Sequence, residues 1–176
     1  MFCGPGWPET IRQALNDLQA ELIVITGDII NTGMAEFPVV LQTIRGMESR
    51  YGIYLCEGNH DVIPGPGIFR EACTASGLSL LYNSSVVLPV QGRNLILGGL
   101  PWHRGGVQDL AGTIDRLYPE RQKGDVRLLL SHHPHLFDVA ASADLVLAGH
   151  THGGQLMVGP VGCGPLFFKY WSGLYR

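Results

Sequence analysis

The stretch Ala148-Gly149-His150-Thr151-His152-Gly153-Gly154-Gln155 follows an apolar run, residues 144–148, that stops abruptly at two histidines flanked by glycines. The run is short and branched, as expected for a β-strand enclosed on both faces, and the glycines let the backbone and a ligand approach closely. Such a strand end can present imidazoles to metal ions, and histidines at i and i+2 can serve two neighbouring ions. The alternative is a glycine-rich turn with incidental histidines, which the rest of the chain has to exclude.

The composition is that of one folded domain. The chain has 176 residues, of which 45% are hydrophobic and 15% charged, so we predict a single domain over residues 1–176 with its own core. The formal net charge is −3 and the Lys and Arg residues are scattered, which excludes nucleic acid as an expected partner. The sequence leaves the oligomeric state open.

Nothing in the sequence predicts a targeting or membrane segment. No apolar run approaches the ~20 residues that span a bilayer, and no signal-peptide pattern follows Met1. Cytoplasmic and membrane-associated locations are both compatible with this, membrane attachment requiring a segment outside this sequence. The cysteines show no CxxC spacing, which favours buried free thiols over disulfides or a zinc knuckle. They are Cys3, Cys56, Cys73 and Cys163.

Apolar periodicity predicts an α/β protein. After a helix that opens at Pro8, a strand over residues 22–26, an amphipathic helix from Phe37 to Met47 and a strand over residues 51–56 make a βαβ unit, which implies parallel strands. Residues 85–90 and 95–98 are typical of an antiparallel hairpin, which we expect in a second sheet. Residues 127–130 predict a further buried strand.

Polar residues follow four of these strands where each strand ends: Asp28, Asn59, His132 and His150. Because a doubly wound fold brings the carboxyl ends of its strands to one edge, we expect these side chains to lie together. The mixture of oxygen and imidazole donors suits Mn, Fe, Zn or a similar divalent ion. Asp28 is able to bridge two ions, with His152 as the additional ligand of a second ion. Individually, Asp28 can also cap a loop, and Asn59 can simply tolerate a left-handed turn.

The ordered motifs resemble those of the calcineurin-like metallophosphoesterase family. The resemblance covers residues 22–155, and its motifs are Gly27-Asp28, Gly58-Asn59-His60-Asp61, Ser131-His132 and Gly149-His150-Thr151-His152. It implies a layered α/β/β/α fold with mixed sheets flanked by helices, and two divalent ions bridged by Asp28. By the same resemblance, Asn59, His132 and His150 bind one ion and His152 the other. The resemblance also implies that His60 contacts the leaving group or a phosphate oxygen and that Asp61 orients the imidazole of His60 as the support of a general acid, the alternative being an ordinary surface His-Asp pair.

The chain departs from the family pattern at its beginning. The family starts with a strand that ends in DxH and supplies an aspartate and a histidine to the first metal. The carboxylates before Asp28 are Glu9, Asp17 and Glu21, and no histidine precedes it. We therefore expect a chain truncated at both ends, which binds one divalent ion where the full-length protein binds two.

These features predict a metal-dependent phosphoesterase that acts on phosphomonoester, phosphodiester or pyrophosphate bonds. The extension Gly153-Gly154-Gln155 is similar to a bacterial, often membrane-associated branch, some of whose members act on lipid-linked phosphoesters or UDP-diacylglucosamine, so a lipid-linked substrate is one candidate. The alternative is a catalytically impaired scaffold that retains the fold. A serine hydrolase is excluded because no GxSxG elbow occurs.

Several histidines and aromatic residues outside the motifs have two interpretations: His133 and His135 could be ligands, His103 could line the cleft, and the aromatic residues could contact a lipid or a nucleobase. We predict that His133 and His135 lie on the surface, that His103 lies in a loop, and that the aromatic side chains belong to the core. The aromatic residues concerned are Trp102, Phe167, Phe168, Tyr170 and Trp171.

Overall fold

Short strands alternate with helices along most of the chain. A computed structural model describes residues 6–65, 67–103, 107–154, 157–158, 161–162 and 164–176. The strands are β1 (Ile23–Ile25), β2 (Ile53–Leu55), β3 (Ser79–Leu80), β4 (Ser84–Val90), β5 (Arg93–Gly99), β6 (Val126–Ser131), β7 (Leu145–Ala148), β8 (Met157–Val158) and β9 (Val161–Gly162). The α-helices are α1 (Trp7–Asp17), α2 (Phe37–Arg45), α3 (Ile68–Ser76), α4 (Ala111–Leu117) and α5 (Gly164–Phe167).

The strands pair into two main sheets and one small hairpin within the described residues. The first sheet has the order β1-β2-β3, and its strands are parallel. The second has the order β4-β5-β6-β7, in which β4 is antiparallel to β5 and the other pairs are parallel. The β8 and β9 strands form the hairpin. The predicted βαβ unit and the predicted hairpin in a second sheet are both confirmed.

Successive side chains of each strand point to opposite faces of the sheet, and the buried apolar side chains therefore form three separate clusters. In β5, Leu97 packs in the cluster between the two sheets, whereas its neighbour Ile96 packs on the opposite face against α4. In the first sheet, Leu55 packs against α2 and α3, whereas Cys56 lies between the sheets. Because successive strand residues point to opposite faces, each sheet buries one face against the other sheet and one against helices. The order of layers is therefore α/β/β/α, as the sequence predicts.

One sequence prediction is wrong, and two others are confirmed only in part. The strand β7 was expected to be enclosed on both faces, but it lies at an edge of the described sheet, where Leu145 and Ala148 are exposed. The helix α1 has the predicted amphipathic pattern, yet none of its residues is buried. Cys56 and Cys73 are buried free thiols, as predicted, whereas Cys3 and Cys163 lie outside the described residues.

The carboxyl ends of the two sheets meet. The strands β1 and β2 end in register, with Ile25 opposite Leu55, and β6 and β7 end in register, with Ser131 opposite Ala148. The Nδ1 atom of His132, just after β6, lies 2.6 Å from the carbonyl oxygen of Thr26, just after β1. This contact joins the ends of two strands from different sheets. Among the described residues, no helix is both long enough and apolar enough to span a bilayer.

Candidate metal centre

Four side chains converge where these strands end. The Oδ1 atom of Asn59 lies 2.9 Å from Nε2 of His132 and 2.7 Å from Nδ1 of His150. The Oδ2 atom of Asp28 lies 3.1 Å from the same Nε2 atom, and the two imidazole nitrogens are 3.2 Å apart. The amide oxygen of Asn59 is thus shared by both imidazoles. The contact between Thr26 and His132, which supports this cluster, joins residues that are 106 positions apart in the chain.

The donor set fits a divalent transition-metal ion in chemistry and spacing. By His, Cys, Asp and Glu side chains alone, no group of three among the described residues is arranged as a ready-made metal site. The Asn59 amide is the additional oxygen donor, and one carboxylate, one amide and two imidazoles suit ions such as Mn, Fe or Zn. The four separations given above, 2.7 to 3.2 Å, are short enough for neighbouring ligands of one ion whose metal–ligand bonds would be about 2.0–2.2 Å long.

Hydrogen bonds orient the imidazole of His132. Its side chain is only 3% exposed, and its Nδ1 atom faces the Thr26 carbonyl, which assigns the Nδ1 proton and directs Nε2 toward the other donors. Burial alone would lower the pKa of His132, but its hydrogen bonds to Asp28 and to Thr26 raise it. In the same way, burial alone would raise the pKa of Asp28, but hydrogen bonds from His132 and from the His60 backbone lower it.

His150 is electrically different from His132. Burial, together with repulsion from His132 and His133, lowers the pKa of His150 to about 4. The ring is therefore neutral at pH 7, which is the form that binds metal ions. Its φ of 69° lies in the left-handed region, so the strand ends in a sharp turn at the residue that carries the donor atom.

Two glycines allow the loops after β1 and β2 to touch. A Cβ atom at Gly58 would lie 2.2 Å from Oδ1 of Asp28 and 2.4 Å from its backbone nitrogen. A Cβ atom at Gly27 would lie 2.6 Å from the backbone nitrogen of Gly58, and Gly27 has a φ of 89°. Only glycine fits such contacts, because any side chain would push the two loops apart. The glycines before Asp28 and Asn59 are thus required by the position of the donor atoms.

His60 and His152 lie beside the cluster. The backbone N–H of His60 donates to Oδ1 of Asp28 at 2.8 Å, and its ring Nδ1 lies 2.6 Å from the carbonyl oxygen of Asn31. That carbonyl assigns the proton to Nδ1 and leaves Nε2 as the basic ring nitrogen. His152 is exposed, and with Asp28, His132 and His150 it lines a cavity of about 830 Å³.

Asp61 has a different place from the one expected. The sequence suggested that it orients the imidazole of His60, but the Asn31 carbonyl does so, and the Asp61 carboxylate accepts hydrogen bonds from four backbone N–H groups. The physical reason is its direction, since the side chain points inward between the two loops and is 0% exposed. Burial and the charge of Asp28 raise the pKa of Asp61, whereas the backbone donors lower it.

Aromatic rings enclose the cluster from one side. The ring of Trp102 lies 5.0 Å from that of His150 and 5.7 Å from those of His132 and His133, and Phe168 lies 5.4 Å from His150. A backbone hydrogen bond from Trp102 to the buried carboxylate of Glu57 helps to fix this position. The sequence favoured core positions for these aromatic residues, because the spacing of Trp102 from the motifs carries no signal of contact.

The prediction that the aromatic side chains belong to the core is wrong, and the two histidines predicted on the surface are only partly exposed. His133 and His135 are half-buried, and the His133 ring lies 5.2 Å from that of His150. The aromatic residues assigned to the core are half-buried or exposed, with Phe167 70% exposed. His103 is exposed in a loop, as predicted.

A comparison with known families decides the relationship. The sequence profile of calcineurin-like phosphoesterases matches residues 4–154, which include all of the motif residues. The chain belongs to the calcineurin-like phosphoesterase family. The predicted family is thus confirmed, and with it a relationship to hydrolases that act on phosphoester bonds.

Similar proteins bear related names. The chain is 29% identical to an uncharacterized metallophosphoesterase, YkuE, of Bacillus subtilis over 96% of its own length and 60% of that protein. It is 29% identical to the phosphodiesterase YaeI of Escherichia coli over 81% of its length and 52% of that protein. A Danio rerio protein described as a transmembrane protein with a metallophosphoesterase domain is 28% identical over 96% of this chain and 41% of its own length. The phosphoesterase chain thus spans 60% or less of these relatives.

A solved structure shares the fold. The sulfate thiohydrolase SoxB of Thermus thermophilus, in complex with glycerol, superposes with a TM-score of 0.52 and 16% sequence identity. The similarity covers 82% of the phosphoesterase chain and 33% of SoxB. At this identity the likeness concerns the fold alone, and it agrees with the two-sheet architecture described above.

Proposed function

We propose that residues 1–176 form one metal-dependent phosphoesterase domain that hydrolyses phosphoester bonds at the cluster of Asp28, Asn59, His132 and His150. The observation that carries this proposal is the convergence of four side chains from the ends of four strands, in which four pairs of donor atoms lie 2.7 to 3.2 Å apart. When bound, a divalent ion would withdraw electron density from the phosphoryl oxygens and lower the pKa of the attacking water.

The residues of the chain hold the metal ion and orient the group that transfers the proton. Neutral His150 and the Thr26-oriented His132 present nitrogen donors, while Asp28 and Asn59 present oxygens. The Nδ1 proton of His60 is directed to the Asn31 carbonyl, so in the protonated ring the second proton is on Nε2; His60 gives this Nε2 proton to the leaving oxygen and is left as the neutral imidazole. His60 is fixed to the cluster because its own backbone N–H donates to Asp28. Proton transfer and metal binding are thus carried by adjacent residues of different side-chain chemistry.

We propose that this chain binds one divalent ion tightly and a second ion weakly. Asp28, Asn59, His132 and His150 form the first donor set. For a second ion the described residues offer the shared carboxylate of Asp28 together with His152. This smaller set also supports the alternative of an impaired scaffold, in which the fold binds a metal but turnover is slow.

The finer substrate proposal is a phosphoester with an apolar group, such as a lipid-linked phosphoester. The 830 Å³ cavity that Asp28, His132 and His150 line also has an apolar wall, which includes Pro134, Phe137, Ala140, Leu145 and Val146. An acyl chain would gain free energy by covering this wall. The name of the Danio rerio relative supports membrane association of a longer protein, which for this chain is a proposal.

The test is hydrolysis by protein that has been stripped with a chelator and reloaded with Mn²⁺. We expect hydrolysis of bis(p-nitrophenyl) phosphate to return with one equivalent of Mn²⁺, and phosphodiesters with long acyl chains to have lower KM values than short-chain ones. Mn²⁺ binding without any hydrolysis would favour the scaffold. Absence of Mn²⁺ binding would contradict the proposed function, and equal KM values would contradict the lipid-linked substrate.

A further inference from the structure

The carboxylate of Asp61 is completely buried and occupied by backbone donors. Its Oδ2 atom accepts from the N–H groups of Asp28 and Gly58, each at 2.8 Å. Its Oδ1 atom accepts from Ile29 at 3.0 Å and from Ile30 at 3.2 Å. A pattern of two donors on each oxygen requires that both oxygens act as acceptors, which is the hydrogen-bonding capacity of the ionised carboxylate.

These donors come from two separate loops. Asp28, Ile29 and Ile30 follow β1, whereas Gly58 follows β2, so Oδ2 joins the two loops directly. The strand ladders have already ended at these positions, and the sheet cannot supply acceptors for the N–H groups. Buried backbone N–H groups without acceptors are costly, and Asp61 satisfies four of them at once.

The backbone conformation that these hydrogen bonds hold at Asp28 is one that a non-glycine residue does not favour by itself. Asp28 has a φ of 55°, in the left-handed region, and its carboxylate lies against Gly58 with space for no side chain. A non-glycine residue persists there only where its surroundings determine it. The Asp61 bonds to Asp28 and to the next two residues are such a constraint, and they determine where the Asp28 carboxylate stands relative to Asn59.

We propose that Asp61 is a positioning residue, which fixes the loops of Asp28 and Asn59 in the arrangement that binds the metal ion and takes no part in proton transfer. The expected effect of Asp61 on metal binding rests on the proposed function. Its effect on the backbone of the two loops rests on the structure alone. Outer residues that orient metal ligands typically change metal affinity by about 10–100-fold when they are replaced.

The first experiment compares Asp61→Asn with a matched control, Asp125→Asn. Asp125 is also buried and hydrogen-bonded, to the Asn94 side chain and the Gln122 N–H, but it precedes β6 at the opposite end of the sheet. Asn retains the shape of Asp and replaces one acceptor oxygen by a donor group, which then faces two N–H groups. By calorimetric titration, we expect Asp61→Asn to weaken Mn²⁺ binding about 10–100-fold and Asp125→Asn to leave it unchanged.

The second experiment is amide hydrogen exchange measured by NMR without added metal. In the wild-type chain we expect the amides of Asp28, Ile29, Ile30 and Gly58 to exchange at least about tenfold more slowly than those of the turn at Gln91 and Gly92, although all lie outside strands. In Asp61→Asn these four amides should accelerate about tenfold, while those of β5 and β6 keep their rates.

Unchanged Mn²⁺ affinity in a folded Asp61→Asn variant would overturn the proposal, as would an equal loss in Asp125→Asn. Rapid exchange of the four amides in the wild-type chain would overturn it even if the variant did not fold. If the wild-type chain failed to bind Mn²⁺, the proposed function would fail. Slow exchange of the four amides would still support the claim that Asp61 fixes the backbone of the two loops.

Discussion

The two ends of strand β7 are built differently. Before the strand, Asp144 is partly exposed and binds Arg121 at 3.0 Å and the Arg127 backbone N–H at 2.8 Å. After the strand, His150 has a left-handed backbone and lies between other imidazoles, Asn59 and Trp102. The first end is a solvated polar contact, whose ion pair contributes about 0–1 kcal/mol to stability. The second end concentrates strain, burial and donor atoms, and for this reason we propose that the carboxyl ends of these strands carry the function.

The largest effect should come from replacing one end residue of β7 at a time. We expect His150→Ala to weaken Mn²⁺ binding more than about 100-fold, which is the upper limit typical for replacing a residue that only orients a metal ligand. Hydrolysis should fall to background. Asp144→Ala should lower the free energy of unfolding by about 1 kcal/mol and leave Mn²⁺ affinity intact. Titration calorimetry and urea unfolding measure both effects. Equal Mn²⁺ affinities in the two variants would remove the distinction between the ends.

The next effect separates proton transfer from metal binding at the carboxyl end. His60→Ala should lower kcat about 10²–10⁴-fold, because the chain loses the imidazole that we propose protonates the leaving oxygen. Its Mn²⁺ affinity should change little, since the His60 backbone N–H that holds Asp28 is retained. Steady-state kinetics and calorimetry on the same preparation provide the check. A loss of Mn²⁺ as severe as in His150→Ala would assign His60 to metal binding instead.

A smaller effect is expected from glycines at opposite ends of the strands. Gly58→Ala places a Cβ atom against Asp28, so we expect Mn²⁺ affinity to fall about 10–100-fold, as for other changes that displace a ligand. Gly92→Ala, in the turn between β4 and β5, meets no atom within 4 Å and has only its φ of 79° to strain it. It should cost about 1 kcal/mol of stability with no change in Mn²⁺ affinity. Similar Mn²⁺ affinities for both variants would show that the loops tolerate separation.

The smallest effect concerns the aromatic wall. Trp102→Ala should raise KM for an aryl phosphodiester about 2–10-fold, corresponding to the loss of one aromatic contact. Trp7→Ala, in the partly exposed helix α1, is the matched control and should leave KM unchanged. A KM for Trp102→Ala equal to that of the wild type would exclude Trp102 from the substrate site.

Much of the fold was predictable because the strands are short apolar runs that stop at polar residues. Leu22 to Thr26 and Arg127 to Leu130 could be identified from the sequence, and the motif at the end of each strand indicated metal chemistry. The sequence could not show that Asp28 and His132 come from different sheets, because periodicity does not specify how sheets stack. It likewise could not show the exposure of β7, since an edge strand and an enclosed strand of four residues have the same apolar pattern.

The remaining errors concern side-chain direction. Asp61 follows His60 in the chain, which suggested that the two side chains interact, but adjacent residues in a loop can point in opposite directions. The carboxylate of Asp61 turns toward four backbone N–H groups instead. The aromatic residues after Gly164 carry no periodic signal either, so their place beside His150 depends on tertiary contacts.

The most direct test of the central claim is electron spin echo spectroscopy of the chain with one equivalent of Mn²⁺. We expect coupling to two imidazole nitrogens, from His132 and His150, which falls to one nitrogen in His150→Ala and stays at two in Asp144→Ala. Mn²⁺ without nitrogen coupling, or with coupling that His150→Ala leaves unchanged, would contradict the claim that the ends of these strands form the metal centre.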